Sequence, residues 1–176
     1  MRIALLSNPS SGRGRHSAAD EVARRVLREA GHEVLHVRGS SYEQSRHAGK
    51  ALLEDGSSHG VEALVVVGGD GMVHLGVDIV ATTGVPLGIV ATGTGNDIAR
   101  HFDLPSRDAA ASAHIINQAL SGNGAVIATD AIYASRPDGT LLAPQRRWSL
   151  AVVSAGLDAA VNARANTLTW PAREGR

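Results

Sequence analysis

Three glycine-rich segments each follow a short apolar run, at places where a strand would pass into a helix. They are residues 8–14 (NPSSGRG), 68–71 (GGDG) and 93–97 (GTGND), named here the first, second and third glycine loops. Glycine lets the backbone approach a ligand closely, and the unpaired N–H groups at a helix N-terminus bind phosphate well. Three such loops at the ends of separate strands predict a nucleotide-binding edge.

Asp70 is the residue in these loops best suited to chemistry, because Gly69 and Gly71 on either side leave its carboxylate unshielded. A carboxylate beside a polyphosphate repels it unless a cation lies between them. One interpretation of Asp70 is therefore Mg²⁺ coordination. The other is an aspartate that only forms a tight turn, and the pattern alone favours neither.

The third glycine loop offers further polar groups. Thr94 can present a hydroxyl to a phosphate, and Asn96 can hydrogen-bond a ribose or phosphate oxygen. The alternative is that Asp97 caps the next helix while Asn96 adopts a left-handed backbone. Asn8 in the first loop also has two interpretations, tying its loop together or contacting the nucleotide. His74 lies one helical turn after Asp70 and is expected to face the same crevice, although a lone histidine is more often structural.

Alternating strands and helices must position these loops. Apolar runs predict strands at 2–7, 33–37, 63–67 and 86–91, and helical spacing predicts helices at 16–30, 42–53, 73–80, 97–102 and 106–120. Ser106 is the expected N-cap of the last helix. The 25 positions between Gly68 and Gly93 hold one helix and one strand, a crossover that places both loops at the carboxyl edge of a parallel sheet. The expected fold class is α/β, with a ligand bound where the strand order reverses.

The pattern changes after Gly122. Strands are predicted at 125–133 and 148–153, joined by a turn at 137–139, and residues 157–176 show no clear period. This arrangement is typical of antiparallel β structure. We therefore expect an α/β domain over residues 1–122 and the beginning of a β domain over 123–176. The unpaired edge of that β region favours pairing with another chain, as in a homodimer.

Composition excludes several classes of function. The 17 basic and 17 acidic residues cancel and form no basic stripe, so we expect no nucleic-acid partner. With no cysteine, disulfides, thiolate chemistry and cysteine-based metal sites are excluded. No apolar run reaches membrane-spanning length, and residues 3–6 are too short for a signal peptide. We expect a cytoplasmic protein whose membrane contact, if it has one, is peripheral. The sequence also lacks a Walker P-loop, a complete dinucleotide fingerprint and a nucleophile elbow.

Taken together, residues 8–12 (NPSSG), 67–71 (VGGDG) and 86–100 (PLGIVATGTGNDIAR) resemble the bacterial diacylglycerol kinase and lipid kinase family, which includes sphingosine kinase relatives. Residues 155–159 (AGLDA) are similar to a Gly-Phe-Asp-Ala stretch in the second domain of that family. The resemblance implies a Rossmann-like parallel-sheet domain related to NAD kinase and phosphofructokinase. It also implies transfer of a phosphoryl group from ATP, with Mg²⁺, to a diacylglycerol-like lipid at the inner face of the membrane.

The resemblance implies a set of site residues as well. Asp70 would be the catalytic residue and would support the metal. The nucleotide would be held by the three loops and by one residue after the second strand: Asn8, Pro9, Ser10, Ser11, Gly12, Ser41, Gly68, Gly69, Asp70, Gly71, Met72, Val73, His74, Gly93, Thr94, Gly95, Asn96 and Asp97.

Two positions depart from the family pattern. Met72 stands where many members have Thr, and Leu75 stands where members commonly have Glu, which removes a carboxylate that would support the metal. Family members also continue into a β-sandwich domain that closes the cleft. We therefore expect this chain to resemble the N-terminal portion of such a kinase, binding nucleotide but phosphorylating lipid weakly by itself. An NAD kinase, which shares the GGDG sequence, and a non-catalytic nucleotide-sensing module are the alternatives.

Overall fold

A computed structural model describes residues 1–7, 15–39, 41–54, 60–135, 148–150 and 157–167. The first glycine loop and the predicted turn at 137–139 lie outside the described residues. Four strands alternate with helices in the first part of the chain: β1 (Arg2–Ser7), α1 (Arg15–Glu29), β2 (Glu33–Arg38), α2 (Tyr42–Glu54), β3 (Ala63–Gly68), α3 (Asp70–Val80), β4 (Leu87–Ala91), α4 (Asp97–His101) and α5 (Ala109–Leu120).

The four strands form one parallel sheet in the order β2-β1-β3-β4. The chain moves outward from β1 to β2, returns to the other side of β1, and continues from β3 to β4. The strand order therefore reverses between β1 and β3, which is where open α/β sheets bind ligands. The predicted α/β class and parallel sheet are confirmed.

Helices cover both faces of the sheet, so the core has two halves. Every residue of β3 is buried, as expected of an interior parallel strand that is covered on both faces. Alternate residues of β1 point to opposite sides: Leu6 lies in the cluster with α2 and α3, and Leu5 lies in the cluster with α1 and α5. With few aromatic residues in the chain, aliphatic side chains fill both halves.

Helix α1 ends where the sequence predicts it. Gly31 follows the helix with φ +88°, its N–H donates to Arg28 O (2.9 Å), and the N–H of His32 donates to Leu27 O (3.1 Å). These two bonds form a Schellman motif, which needs a left-handed residue at this position. The turn directs the chain into β2.

Two helices begin at residues other than those predicted. Helix α3 begins at Asp70 instead of residue 73, so the second glycine loop is itself the helix N-terminus. Helix α5 begins at Ala109 with Asp108 as its N-cap, whose carboxylate accepts the N–H of Ala111 (2.9 Å). Ser106 as the N-cap is therefore wrong. The carboxylate of Asp108 reaches an amide three residues on, whereas the Ser106 hydroxyl is bonded to Asn96.

The two strands predicted after residue 122 are seen only in part, and residues 151–153 of the second lie outside the described residues. Two short strands, β5 (Ile132–Tyr133) and β6 (Trp148–Ser149), pair antiparallel as predicted, but residues 125–131 form no strand. An extended segment needs a neighbour for its backbone N–H and C=O groups, and no described strand lies beside residues 125–131.

The last described helix, α6 (Leu157–Thr167), was not predicted. It has no amphipathic pattern to detect, and its alanines supply helix propensity without one. Within the described ranges, no helix is both long enough and apolar enough to cross a bilayer.

Candidate functional site

The strand register brings the glycine loops to one edge of the sheet. Ser7, the last residue of β1, lies beside Val67, and Gly68, the last residue of β3, lies beside Ala91 at the end of β4. The segments that follow these three strands therefore leave from the same carboxyl edge. The first loop lies outside the described residues, so the convergence is seen directly for the second and third loops.

The second and third loops touch through their backbones. A Cβ built on Gly93 would lie 2.5 Å from the Cα of Gly69, and one built on Gly69 would lie 3.1 Å from the Cα of Gly93. The N–H of Thr92 also donates to Gly68 O (2.9 Å). Because the facing backbone occupies the space of a side chain, position 93 requires glycine. The predicted meeting of these two loops is confirmed.

Asp70 joins the two loops through its side chain. It is the first residue of α3, and its Oδ1 accepts the backbone N–H of Ile98 in the first turn of α4 at 3.2 Å. Asn96, at the N-cap position of α4, makes no capping bond, so Asp70 satisfies an orphan amide of that helix from a different segment. The other oxygen, Oδ2, lies toward Gly95, where a Cβ would approach it to 3.0 Å.

The first turn of α3 presents backbone donors. The amides of Met72 and Val73 both donate to Gly69 O, at 2.9 and 3.2 Å. The amides of Asp70 and Gly71 have no acceptor within the part of the chain that the structure describes. Both belong to the N-terminal end of the helix dipole, where an anion is stabilised.

Two other predicted site residues on α3, Met72 and Val73, have packing roles. Val73 is 2% exposed and lies in the core. Met72 packs beneath the second loop, so that a Cβ on Gly68 would collide with its side chain. His74 is half-buried on α3. The side chain of Val73 therefore points away from any ligand at the sheet edge.

Asn96 has a left-handed backbone with φ +55°, as the second interpretation of the sequence predicted. Its side chain is 2% exposed, and Nδ2 donates both to Gly93 O (2.9 Å) and to Ser106 Oγ (2.8 Å). An amide nitrogen has two hydrogens, so none remains for a ligand. By contrast, Thr94 and Gly95 are exposed at the tip of the loop, and Asp97 is exposed and paired with Arg100.

Ser41 lies at the same edge, at the start of α2. Its Oγ accepts the N–H of Gln44 (3.2 Å), and its carbonyl accepts the N–H and the hydroxyl of Ser45. Ser41 is therefore an N-cap. It follows β2, which β1 separates from β3, so it lies farther from Asp70 in strand order than the third loop does.

Leu75 points into the apolar core and is 2% exposed. Among the described residues, no group of three His, Cys, Asp or Glu side chains is arranged to hold a metal ion. Two described carboxylates at this edge are Asp70 and Asp97, whose oxygens would lie 3.0 and 3.6 Å from a Cβ on Gly95. A metal here would also need oxygen atoms of a ligand and water, which is how Mg²⁺ is commonly held beside phosphates.

A buried polar cluster at the end of β1 was missed from the sequence. His36 Nε2 lies 2.9 Å from Ser7 Oγ and 3.1 Å from Asp20 Oδ2. Both contacts use the same ring nitrogen, and Ser7 is 4% exposed. A nucleophilic triad needs the serine and the carboxylate on opposite nitrogens and an accessible hydroxyl. The cluster therefore joins β1, β2 and α1 and does not form a hydrolase site.

A buried ion pair that joins α2 to α3 was also missed. Arg46 Nε donates to Asp78 Oδ2 at 2.5 Å, and Asp78 is 2% exposed. The hydrogen bond to Asp78, opposed by burial and supported by the charges of Asp78 and Glu43, raises the pKa of Arg46 above its ordinary value. One signal was present in the sequence: Asp78 interrupts an apolar helical run, and a lone charge there implies a buried partner.

Comparisons with known proteins agree with this architecture. A family model described as the diacylglycerol kinase catalytic domain matches residues 2–127. Diacylglycerol kinases of two Mycobacterium tuberculosis strains, CDC 1551 / Oshkosh and ATCC 25618 / H37Rv, are each 34% identical over 172 residues, which is 97% of this chain and 50% of each relative. A crystal structure of a diacylglycerol kinase from Bacillus anthracis superposes with a TM-score of 0.50 at 26% identity, over 66% of this chain and 39% of that one.

The chain belongs to the diacylglycerol kinase catalytic domain family. The resemblance inferred from the glycine loops is thereby confirmed, and membership of this family favours the lipid kinase interpretation over NAD kinase. The chain spans about half the length of the curated relatives that it matches.

Proposed function

We propose that this chain is the nucleotide-binding part of an ATP-dependent lipid kinase, which transfers the γ-phosphate of ATP to a hydroxyl of a diacylglycerol-like lipid. The observation that carries the proposal is the contact between Gly69 and Gly93 beside Asp70, which joins the carboxyl ends of β3 and β4 next to the reversal between β1 and β3. It places two loops with backbone donors around one carboxylate.

The residues of this edge fit ATP and Mg²⁺. The amides of Asp70 and Gly71, which have no acceptor among the described residues, suit an anionic phosphate, and the exposed Thr94 can add a hydroxyl from the third loop. Asp70 keeps one oxygen, Oδ2, outside its bond to Ile98, and one carboxylate is an adequate protein share for Mg²⁺ beside phosphates. When bound, Mg²⁺ would neutralise the charge that develops on the transferred group.

Positioning and charge stabilisation supply most of the catalysis in phosphoryl transfer, and the second and third glycine loops, which pack on each other, would serve both. The amides of α3 orient the phosphates, and Asp70 fixes the place of the cation. We assign these tasks to a nucleotide-binding domain over residues 1–122. Since the acceptor lipid resides in a membrane, we propose contact with the membrane surface and not insertion into it.

The test begins with binding. Calorimetric titration of the chain with ATP should show Mg²⁺-dependent binding that Asp70→Ala abolishes. Glu29→Gln removes an exposed carboxylate at the C-terminal end of α1, which leads into the start of β2 at the opposite edge of the sheet, and serves as the control. Formation of phosphatidic acid from ATP and diacylglycerol micelles, compared with formation of NADP from NAD, then identifies the acceptor. Failure to bind ATP, or NADP as the product, would overturn the proposal.

A further inference from the structure

Asn96 and Ser106 form a link between the third glycine loop and the segment that leads into α5. The Nδ2 of Asn96 lies 2.8 Å from Ser106 Oγ and 2.9 Å from Gly93 O. The carbonyl of Gly93 can only accept a hydrogen bond, so the amide must turn its nitrogen toward it. Asn96 thus holds the start of its loop with one hydrogen and the Ser106 hydroxyl with the other.

The Ser106 end of the link is fixed to the sheet. Ser106 forms a parallel bridge with Ala91 at the end of β4, and the N–H of Arg107 donates to Ala91 O at 2.7 Å. The loop end is equally constrained, because Gly93 packs on Gly69. The link therefore connects the third loop to the end of β4, where Ser106 is held by bonds that do not involve the loop.

Asn96 is held at a conformational cost. Its backbone is left-handed, and its Oδ1 is buried without a partner among the described residues. An unfavourable conformation of this kind persists only where the surrounding structure imposes it, and such positions are concentrated at functional sites. The link spans the loop segment from Gly93, which packs on Gly69, to Asn96, and this segment includes Gly95, which faces Asp70 Oδ2.

We propose that Asn96 and Ser106 are positioning residues, which set the shape of the third loop for the nucleotide without contacting it. The inference rests on the proposed function. It gives Asn96 a role different from direct contact with a ribose or phosphate, and it gives Ser106 a role that no motif in the sequence signalled.

Ser106→Ala tests this directly, because Ser106 is exposed and its truncation opens no buried cavity. The affinity for ATP in Mg²⁺ should fall about 3- to 10-fold, the change expected from losing one hydrogen bond. Ser106→Thr keeps the hydroxyl and should restore binding. Ser112→Ala is the matched control: it removes a buried hydroxyl bonded to Asp108 O at 2.8 Å and should leave the affinity unchanged, whatever its melting temperature.

A double-mutant comparison separates positioning from direct contact. If both residues affect ATP binding through their shared hydrogen bond, the double variant with Asn96→Ala and Ser106→Ala should bind ATP no more weakly than Asn96→Ala alone. If Asn96 contacts the nucleotide directly, Ser106→Ala would leave the affinity unchanged, and the proposal would be overturned.

Hydrogen exchange without nucleotide distinguishes failure of the link from failure of the proposed function. Ser106→Ala should speed exchange of the Ile98 and Thr92 amides relative to Ser112→Ala, because both amides bond across to the second loop. Unchanged exchange would contradict the link even in a chain that binds ATP. A wild-type chain that binds no ATP would overturn the kinase proposal, while the exchange result would still decide the link.

Discussion

The carboxylate of Asp70, at the N-terminus of α3, accepts the backbone N–H of Ile98 in the first turn of α4 at 3.2 Å. Asp70 thus performs for α4 the task that an N-cap side chain normally performs from within its own segment. The residue proposed to support Mg²⁺ also holds the third glycine loop against the second. Replacing Asp70 therefore changes two things, and the two can be separated.

Asp70→Asn and Asp70→Ala should differ in stability but should have the same effect on ATP binding. Asparagine keeps an oxygen that can accept from Ile98, so the free energy of unfolding should change little, whereas alanine should lower it by about 0.5–2 kcal/mol. Both variants lose the negative charge, so both should lose the Mg²⁺ dependence of ATP binding. Urea denaturation and calorimetry with and without Mg²⁺ measure the two effects. Equal destabilisation by both variants would show that the capping bond contributes nothing.

Gly71 and Gly93 should respond in opposite ways to alanine. Among the residues that the structure describes, nothing lies within 4 Å of a Cβ on Gly71, which is inside α3, so Gly71→Ala should raise the free energy of unfolding by about 0.5–1 kcal/mol. A Cβ at position 93 would lie 2.5 Å from Gly69 Cα, so Gly93→Ala should lower the free energy of unfolding.

The affinity of Gly71→Ala for ATP, compared with its stability, tests whether phosphate binds at this amide. If phosphate approaches the amide of Gly71, the added methyl group should weaken ATP binding even though the chain is more stable. Thermal denaturation and ATP titration of the same sample report both quantities. A variant that is more stable and binds ATP unchanged would place the phosphate elsewhere.

The sheet and the meeting of two glycine loops were predictable because both depend on local patterns. Buried parallel strands such as β3 are continuous apolar runs, and a crossover of fixed length returns the chain to the same edge. The start of α3 at Asp70 was less predictable, since glycines at 69 and 71 are poor helix formers. Tertiary contact with the third loop overrides that weak local preference.

The polar contacts across the fold were not predictable, because they join residues that are distant in sequence. Asp70 and Ile98 are 28 positions apart, and Arg46 and Asp78 are 32 apart. Ser106 had an ordinary helix-cap signal, and only its bridge to Ala91 shows why its hydroxyl reaches Asn96 instead. Side-chain pairing of this kind follows from how elements pack and not from their periodicity.

Leu75 should behave as a core residue. It is 2% exposed, so Leu75→Ala should lower the free energy of unfolding by about 2–5 kcal/mol. Leu75→Glu introduces the carboxylate that the resemblance to lipid kinases predicts at this position, but here it enters the apolar core, and we expect a larger loss of stability with no gain in Mg²⁺-dependent binding. Ile115→Ala on the exposed face of α5 is the control, with a much smaller effect. A Leu75→Glu variant that is stable and binds Mg²⁺-ATP more tightly would refute this assignment.

Removing one partner of the Arg46–Asp78 pair should lower the free energy of unfolding more than replacing both partners with apolar residues. Asp78 is 2% exposed, so Arg46→Met leaves a buried charge without its main partner and should lower the free energy of unfolding by about 3–5 kcal/mol. The double variant Arg46→Met with Asp78→Leu removes both charges and should recover much of that loss. Denaturant unfolding of the two single variants and the double variant gives the coupling energy.

The raised pKa of Arg46 determines the direction in which its charge affects stability as the pH changes. The hydrogen bond to Asp78 raises the pKa of Arg46, so the stabilisation from its charge is complete below the unfolded pKa and is lost only as the pH rises through the folded value. Both lie far above neutrality. The stability of the wild-type chain should therefore show no transition from Arg46 between neutral and mildly alkaline pH. Loss of the coupling energy in that range would mean that the guanidinium is not held by Asp78, and the packing of α2 on α3 would then need another explanation.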